Sequence, residues 1–281
     1  MKNDLKALLA KSLNSDEMEC APNSYELIGS GDKAVALVEI PEEIGDRKIL
    51  IAKSIMNLSK NVKTVLGKSS ARKGEFRTRE YELVMGNPNT EVVHKENGYL
   101  LKLDPQKVYF SEREGTERMR IARQVERGEN VMVFFAGIGA YAIAIVYEQP
   151  DVGKVYAIEI NPEAVEYMKI NLRMNRMVDK IVPISGDVKK EAERFYGRFD
   201  RIVMPLPLGG SEFLEDAILC LNKKGVIHFY TLTNRDEFVS AKAKIEEACR
   251  RLNKRFKVLN QRKITEYSPR QWKVCIDFEV E

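Results

Sequence analysis

The chain has few of the residues that build metal sites and disulfide frameworks. Its 281 residues include two histidines, His94 and His228, and four scattered cysteines with no Cys-x-x-Cys pair among them. Cysteines in this arrangement are typical of buried free thiols. A zinc site or a disulfide framework is therefore not expected, and we predict no metal ion.

Long apolar runs are also missing. No stretch of about 18 apolar residues occurs, so no transmembrane helix is predicted. The N-terminus lacks the apolar core of a signal peptide, and the predicted location is cytoplasmic. Hydrophobic residues make up 44% of the chain and charged residues 31%, which is typical of a globular protein. The net charge of +4 is small, so the distribution of charge is more informative than its total.

Short strand-like runs, followed by an alternation of strands and helices, indicate two domains. A polar, helix-prone lead segment covers residues 1–22, a small α+β domain covers residues 23–104, and an α/β domain covers residues 105–281. Asp104-Pro105 marks the boundary because the strand pattern stops there. In the small domain, strands are predicted at 25–28, 34–40, 64–66, 91–94 and 99–103, and a helix at 47–57.

Two further segments have clear local signals. Residues 68–80 are polar and basic with little apolar material, so we expect an exposed loop. Ser111 and Glu114 form a capping-box pattern, which predicts a helix from Ser111 to about Arg127. Residues three or four apart share a helix face. The side chains expected on that face are Arg113, Glu117 and Arg120.

An apolar, strand-like run ends in a glycine-rich turn. The run at 131–135 is followed by Ala136-Gly137-Ile138-Gly139 and then by an apolar helix pattern. Glycines suit such a turn because a backbone without Cβ can approach a ligand closely. Strands and helices then alternate, which predicts a doubly wound, Rossmann-like α/β sheet that binds ligands at the carboxyl ends of its strands. Strands are predicted at 131–135, 154–160, 180–184, 200–204, 225–231 and 273–279, and helices at 139–147, 162–175, 211–221 and 235–252.

Polar or proline residues at three later strand ends fit a nucleoside-containing cofactor. Glu159, about 20 residues after the glycine turn, is placed to accept hydrogen bonds from ribose hydroxyls. Asp187 ends the next strand, where a carboxylate can face an adenine amino group. Glu159 can instead cap the next helix, and Asp187 can be a solvated turn residue. The predicted cofactor-binding residues here are Phe135, Gly137, Gly139, Glu159, Ile160, Asn161, Asp187, Pro205 and Pro207.

Seven short motifs also occur in a fixed order. They are Tyr25-Glu26-Leu27-Ile28-Gly29, Gly74-Glu75-Phe76-Arg77, Tyr109-Phe110-Ser111 followed by Glu117-Arg118, Phe135-Ala136-Gly137-Ile138-Gly139, Glu159-Ile160-Asn161-Pro162, Met204-Pro205-Leu206-Pro207 and Tyr267-Ser268-Pro269-Arg270. This order resembles the archaeal and eukaryotic tRNA (guanine-37 N1)-methyltransferase family, which includes relatives in wyosine biosynthesis. The resemblance covers nearly the whole chain from about Ser24. The chain is expected to lack the extra N-terminal domain with which longer members grip the outer corner of tRNA.

The resemblance implies S-adenosylmethionine as cofactor and a guanine-type base at position 37 of tRNA as substrate. It implies that Glu117 is the general base for the proton on guanine N1. It also implies that Arg77 hydrogen-bonds guanine O6, that Tyr109 seats the base, and that Arg113 faces the carboxylate of the methionine moiety. From the residues alone, Glu117 can simply pair with Arg113, Arg77 can bind phosphate, and Tyr109 can be a hydrophobic neighbour of the helix start.

Two positions depart from the family pattern, and they leave the reaction open. The family usually has an acidic residue where this chain has Val133, and Asn-Leu-Pro or Asn-Pro-Pro where it has Pro205-Leu206-Pro207. One reading is methylation of guanosine 37 at N1. The other is a wyosine-pathway step at position 37, either methylation of a precursor or transfer of the 3-amino-3-carboxypropyl group. A nicotinamide-dependent oxidoreductase is an alternative of another class, but the sequence lacks a Tyr-x-x-x-Lys-like or His-based hydride site.

Basic residues cluster in two places. Seven occur between Arg250 and Lys263 with no acidic residue among them, and the segment from Lys60 to Arg79 holds another cluster. Such clusters bind phosphates in a salt-dependent way without reading sequence, although a solvated helix face gives the same pattern. The clusters favour a nucleic-acid surface, and the family resemblance implies the anticodon stem-loop of tRNA as the partner. We also expect a monomer that does not associate with a membrane.

Overall fold

The computed structural model describes residues 2–70, 74, 76, 78–234, 238–268 and 270–281. The chain divides into two compact units, Met1–Arg113 and Glu114–Glu281. The finer division at residues 22 and 104, which the sequence indicates, stays a prediction. Within the described part of the chain, no helix is both long and apolar enough to span a bilayer.

The first unit is a small α+β structure. Its helices are α1 (Lys2–Leu9), α2 (Ser15–Cys20) and α3 (Lys48–Leu58), and its strands are β1 (Glu26–Ser30), β2 (Lys33–Val38), β3 (Val62–Lys68), β4 (Tyr81–Gly86), β5 (Val92–Glu96) and β6 (Tyr99–Leu103). Strands β1 to β4 form one sheet in that order, in which β2 and β3 are parallel, and β5 pairs with β6 in a hairpin. The sequence did not predict β4, because only Val84 within it is buried and its apolar pattern is weak.

The lead segment contributes to the core of the first unit. Leu5 and Leu9 of α1 are fully buried and belong to the same apolar cluster as Ile51 and Ile55 of α3. A capping box at Asn14 starts α2, because the Asn14 side chain accepts the amide of the third helical residue while that residue's carboxylate accepts the Asn14 amide. The polar N-terminal residues therefore present one apolar side to the protein interior.

The second unit is an α/β structure built on one large sheet. Its helices are α4 (Gly115–Ala122), α5 (Ala140–Glu148), α6 (Pro162–Met174), α7 (Val188–Glu191), α8 (Leu214–Cys220) and α9 (Val239–Arg251). Its strands are β7 (Val131–Val133), β8 (Val155–Glu159), β9 (Ile181–Ser185), β10 (Phe199–Met204), β11 (Leu221–Asn234), β12 (Phe256–Ser268) and β13 (Gln271–Val280). The predicted alternation of strands and helices is confirmed.

The strand order of the large sheet is β12-β13-β11-β10-β7-β8-β9. Strands β7 to β11 are parallel, and β13 and β12 add an antiparallel edge. The chain runs from β7 outward through β8 and β9, and then returns to the other side of β7 with β10. This reversal places the switch point, where doubly wound sheets bind ligands, between β7 and β10.

Apolar side chains cover both faces of this sheet. Met132, Ile202 and Phe229 pack with residues of α8 and α9 in one core cluster. Val133 and Val203, which alternate with them along the strands, are fully buried as well. Side chains along a strand point to opposite faces, so burial of both sets requires a covering on each side. The predicted doubly wound α/β class is confirmed.

The helix predicted from Ser111 to Arg127 is shorter in the structure. A 3₁₀ turn at Glu112–Glu114 leads into α4, which begins at Gly115 and has no side-chain cap at Glu114. Gly115, the first residue of α4, has low helix propensity. Beyond the end of α4, the amide of Gln124 donates to the carbonyl three residues before it, which closes the helix with a 3₁₀-type turn. The prediction was wrong at both ends.

Strand β12 was also not predicted. Most of its side chains are exposed, and its pairing with β13 shifts register at three places, so no regular apolar alternation marks it in the sequence. Among the described strands, β12 is hydrogen-bonded to β13 alone, so it forms the edge of the sheet. The basic segment from Arg250 to Lys263 therefore covers the end of α9, a turn and the first half of an edge strand, and is not one helix face.

Candidate active site

The turn between β7 and α5 has the backbone of a ligand-binding loop. Phe135, Gly137 and Gly139 have positive φ angles of 54°, 56° and 85°. Glycine adopts this conformation without strain, but Phe135 does not, and such strain is concentrated at functional sites. The Phe135 ring packs edge-on against Phe213, with the ring centroids 4.9 Å apart. The predicted glycine turn follows β7 directly, so it lies at the switch point of the sheet, where β7 pairs with β10.

Gly139→Ala is expected to destabilise the protein more than Gly128→Ala. Both positions have a left-handed backbone, with φ of 85° and 80°, so both alanine variants lose about 1–2 kcal/mol for conformation. A Cβ at position 139 would also lie 2.8 Å from Cγ of Met168, whereas a Cβ at position 128 would meet no atom within 4 Å. The crowding adds about 1–3 kcal/mol. Thermal unfolding measures the difference, and equal melting temperatures for the two variants would contradict it.

A buried carboxylate at the carboxyl end of β8 ties this turn to the next strand. Glu159 Oε2 accepts the Gly137 amide and Oε1 accepts the Asn161 amide, each at 2.7 Å. Glu159 is 8% exposed, and burial raises its pKa against the lowering effect of hydrogen bonds from Asn161 and Gly137. Each carboxylate oxygen has a second lone pair. The Ile160 amide also contributes a hydrogen bond to this carboxylate, which keeps capacity for a further donor such as a ribose hydroxyl.

The structure tests the helix-cap reading of Glu159, and its contact with a ribose stays a prediction. The side chain of Asn161, not that of Glu159, caps α6 by accepting the Glu163 amide at 3.0 Å. Asp187 is different, because its Oδ1 caps α7 by accepting the Lys189 amide at 2.9 Å. Asp187 is therefore a helix-capping residue in the turn after β9. Its binding of an adenine amino group stays a prediction.

The other predicted cofactor residues lie at neighbouring strand ends. The Gly186 amide donates to the carbonyl of Glu159 at 2.9 Å, which joins the ends of β8 and β9. Pro205 and Pro207 are half-buried in the loop that leaves β10, the neighbour of β7 on its other side. The structure thus brings the predicted residues of β7, β8, β9 and β10 to one edge of the sheet. Their contact with a cofactor stays a prediction.

Glu117 lies buried on α4 with both carboxylate oxygens bound. Arg120 binds it through two parallel bonds, from Nη2 to Oε1 at 2.7 Å and from Nε to Oε2 at 2.8 Å. The hydroxyl of Tyr230 on β11 donates to Oε1 at 2.6 Å. Burial raises the pKa of Tyr230, so its phenol stays protonated as a donor. The Tyr230 ring is 6.1 Å from the ring of Tyr141, which follows the glycine turn by two residues. Glu117 is therefore placed beside the helix that begins at that turn.

The Glu117 pair continues into a chain of buried charges that crosses the sheet. Arg120 Nη1 donates to Asp277 Oδ2 at 2.5 Å, and His228 Nδ1 lies 2.7 Å from Asp277 Oδ1. Arg201 follows, with Nη1 2.9 Å from His228 Nε2, and it forms two bonds to Glu129 at 2.7 and 2.8 Å. Sequence reasoning missed this chain. The signal was present, because a histidine and an aspartate inside the apolar strands β11 and β13 need buried partners.

The predicted residues of the first unit have separate surroundings. Tyr109 is half-buried and lines, with Thr78 and Arg79, a pocket of about 10 Å³, enough for one water. The Arg113 side chain is 58% exposed, with Nη2 3.9 Å from a Glu26 oxygen and Nε 3.7 Å from a Glu112 oxygen. Arg77 lies outside the described residues. The predicted roles of these three residues stay predictions.

Exposed cations follow α9 and continue along β12. Lys254, Arg255, Lys257 and Arg262 are all exposed. In contrast, Arg250 and Arg251 at the end of α9 form ion pairs with Glu247 on the same helix. In the basic segment, the arginines at the end of α9 are therefore engaged in ion pairs, whereas the cations that follow are exposed and continue along the edge strand.

Comparisons with known proteins agree with this architecture. Residues 92–259 match the family described as the TRM5/TYW2 methyltransferase domain, and residues 5–90 match the TYW2 N-terminal domain. The chain is 41% identical over 260 residues to tRNA (guanine(37)-N(1))-methyltransferase Trm5b of Pyrococcus abyssi, a match that covers 92% of this chain and 75% of that protein. The crystal structure of that Trm5b aligns with a TM-score of 0.86, over 96% of this chain and 78% of the other.

Matches from Pyrococcus horikoshii, one in sequence and one in structure, cover nearly the full length of both chains. The chain is 31% identical to the tRNA(Phe) (4-demethylwyosine(37)-C(7)) aminocarboxypropyltransferase of Pyrococcus horikoshii, covering 100% of this chain and 97% of that protein. The structure of P. horikoshii TYW2 in complex with MeSAdo has a TM-score of 0.81 and 27% identity, covering 100% of this chain and 99% of the other.

Proposed function

Because this chain belongs to the TRM5/TYW2 methyltransferase family, we propose that it transfers a methyl group from S-adenosylmethionine to N1 of guanosine 37 in tRNA. The observation that carries the proposal is the placement of Glu117. Its buried carboxylate lies beside the helix that begins at the glycine turn, where a proton acceptor is needed if the methyl donor binds at that turn. The 41% identity to a named guanine-37 methyltransferase supports the same reaction.

The residues at the switch point fit the proposed cofactor. Glu159 would accept hydrogen bonds from the ribose hydroxyls at the capacity that the backbone amides of Gly137, Asn161 and Ile160 leave free. Asp187 would accept the adenine amino group, and Phe135 with Pro205 would line the apolar surfaces. When bound, S-adenosylmethionine supplies a methyl carbon activated by a positively charged sulfur.

The protein's own part in the reaction is removal of a proton. Guanine N1 carries a hydrogen that must leave as the new N–C bond forms, and the electron pair of the N1–H bond becomes the nucleophile. We assign acceptance of this proton to Glu117. Arg77 would hydrogen-bond guanine O6, where negative charge develops as N1 loses its proton. Tyr109 would hold the base by stacking, and Arg113 would pair with the carboxylate of the methionine moiety.

Binding to the anticodon stem-loop is proposed for the exposed basic surface. Lys254, Arg255, Lys257 and Arg262 form a row of cations with no acidic neighbour in the sequence between them. Such a row meets a phosphate backbone without reading sequence, and this affinity helps to offset the cost of turning a base out of its stack. We propose that the protein acts as a monomer, in the cytoplasm where tRNA is modified.

Transfer of the 3-amino-3-carboxypropyl group is the second candidate. The observation in its favour is the match of residues 5–90 to the TYW2 N-terminal domain. Pro205 departs from the asparagine that is usual in the family, and this departure leaves an altered position of the methionine portion open. A different seat for the methionine portion would present a different carbon to the nucleophile.

A double-label experiment tests the two candidates. The protein is incubated with a guanosine-37 tRNA and, separately, with a tRNA that carries 4-demethylwyosine at position 37. S-adenosylmethionine labelled on the methyl carbon is used in one set and on the carboxyl carbon in the other. We expect methyl label in the guanosine tRNA, and nucleoside analysis should give N1-methylguanosine. Carboxyl label in either tRNA, without methyl label, would overturn the methyltransferase proposal in favour of the second candidate.

A further inference from the structure

The guanidinium of Arg120 is shared between two buried carboxylates. It binds Glu117 through Nε and Nη2, and it binds Asp277 through Nη1, while Nη2 also lies 3.3 Å from Asp277 Oδ1. Glu117 is 6% exposed and Asp277 is 1% exposed. Hydrogen bonds to both carboxylates outweigh the effect of burial and raise the pKa of Arg120, so this cation persists at every working pH. One half-buried positive charge thus serves two buried negative ones.

The partners of Asp277 keep it ionised. Arg201 can only donate, so His228 Nε2 must accept from it, and the histidine hydrogen must lie on Nδ1, directed at Asp277 Oδ1. Burial lowers the pKa of His228, against the raising effect of Asp277, and the imidazole is neutral. Burial alone would raise the pKa of Asp277, but the hydrogen bonds from His228 and Arg120 hold it well below its usual value.

We propose that Asp277 is a positioning residue that provides the counter-charge which lets Glu117 take up the proton of the substrate. When Glu117 becomes protonated, it no longer neutralises Arg120. Asp277 remains bound to Arg120, so the half-buried guanidinium is not left without a counter-charge, which is unfavourable. Without Asp277, protonation of Glu117 would leave Arg120 in that state. This inference rests on the proposed role of Glu117 as the base.

The other charged and titratable groups near Glu117 do not replace Asp277. Lys273 on β13 is paired with Glu114 at 2.6 Å, so this neighbouring pair balances its own charge. Tyr230, Tyr141 and Cys275 are buried, and burial raises the pKa of each, so they stay neutral. Arg118 is also buried on α4, and its charge is opposite in sign to the one that Asp277 supplies. Asp277 is the carboxylate that shares the guanidinium of Arg120.

The test is the pH dependence of single-turnover transfer by Asp277→Asn, measured with the complete chain at saturating guanosine-37 tRNA and S-adenosylmethionine. Asparagine keeps the shape but removes the charge. We expect the maximal rate to fall roughly 10- to 100-fold, because Glu117 becomes a weaker proton acceptor. We also expect the acid limb of the profile to move by about one unit to lower pH, because Glu117 stays ionised further into acid.

Tyr230→Phe is the matched variant, and it should shift the acid limb of the profile in the opposite direction. Removing the phenol hydroxyl takes a hydrogen bond from the ionised Glu117, so the acid limb should move to higher pH. His228 gives a third comparison, because His228→Asn keeps a donor near Asp277 and His228→Leu does not. We expect the asparagine variant to retain more of the parent rate than the leucine variant. A purely structural role would lower rates without moving the limb in either direction.

The results separate this inference from the proposed function. If Glu117→Gln retains the parent rate, the base assignment fails and the inference falls with it. If Glu117→Gln is inactive but Asp277→Asn keeps the acid limb and rate of the parent, the counter-charge role is wrong and the base assignment stands. If Asp277→Asn does not fold, the two His228 variants decide. A higher rate for His228→Asn than for His228→Leu supports the role, and equal rates or the reverse order refute it.

Discussion

Glu117→Gln is expected to lower the single-turnover rate of methyl transfer to guanosine-37 tRNA by about 10²–10⁴, the usual contribution of a general base. The amide has the shape of the carboxylate but does not take up a proton at neutral pH. The fold should survive, because Arg120 keeps its ion pair with Asp277 and Tyr230 can still donate to the amide oxygen. The measurement is rapid-quench transfer of labelled methyl, with filter-binding of tRNA to establish that affinity is retained.

The matched control for this prediction is Glu126→Gln, the same change at an exposed position just beyond α4. It should leave the rate within about twofold, as surface substitutions usually do little. Parent-like turnover by Glu117→Gln, at equal tRNA affinity, would remove Glu117 from the role of base. In that case the Arg120 pair is a structural contact only.

Glu159→Gln is expected to weaken binding of S-adenosylmethionine by about 100-fold or more. A glutamine has one acceptor oxygen, and its amide nitrogen would face either the Gly137 or the Asn161 amide as a second donor. The side chain then cannot hold the turn and two ribose hydroxyls together. Each hydrogen bond to a charged group contributes about 1.5–3 kcal/mol, and 1.4 kcal/mol is tenfold in affinity. Isothermal titration with the cofactor alone measures this loss without any dependence on tRNA.

Glu166→Gln is the control for the cofactor variant. Glu166 lies on the exposed side of α6, the helix that follows Glu159, and pairs with Lys169 on the surface. Its loss should not alter the dissociation constant. An unchanged affinity in Glu159→Gln would mean that the cofactor does not use this carboxylate, and it would remove the ribose assignment while leaving the fold and the family untouched.

Much of the α/β architecture was predictable because its signals are local. The glycine turn, the apolar strands β7, β8 and β10, and the helices between them follow from periodicity over a few residues, and the structure confirms them. The family resemblance drawn from the motifs is likewise confirmed by the matches. The structure assigns the cap of α6 to Asn161 and not to Glu159, while the ribose contact of Glu159 stays a prediction.

The features that the sequence did not predict depend on contacts between residues of different elements of the chain. Strand β12 has no regular apolar side, so its existence depends on the pairing that β13 offers. The charge chain joins residues far apart, and Arg120 and Asp277 are separated by 157 positions. A helix pattern places Arg120 near Glu117, yet it does not indicate that a second carboxylate arrives from the last strand of the sheet. Only the fold makes the guanidinium a shared partner.

Strand β12 has one further consequence. It is a long edge strand, and the backbone N–H and C=O groups on its outer side could pair with the same strand of another molecule. Lys257 and Arg262 are exposed along it, so two such edges brought together would place like charges side by side. The cations that we assign to tRNA binding thus also protect the protein against aggregation through this edge. Neutralising them is expected to cost solubility as well as affinity.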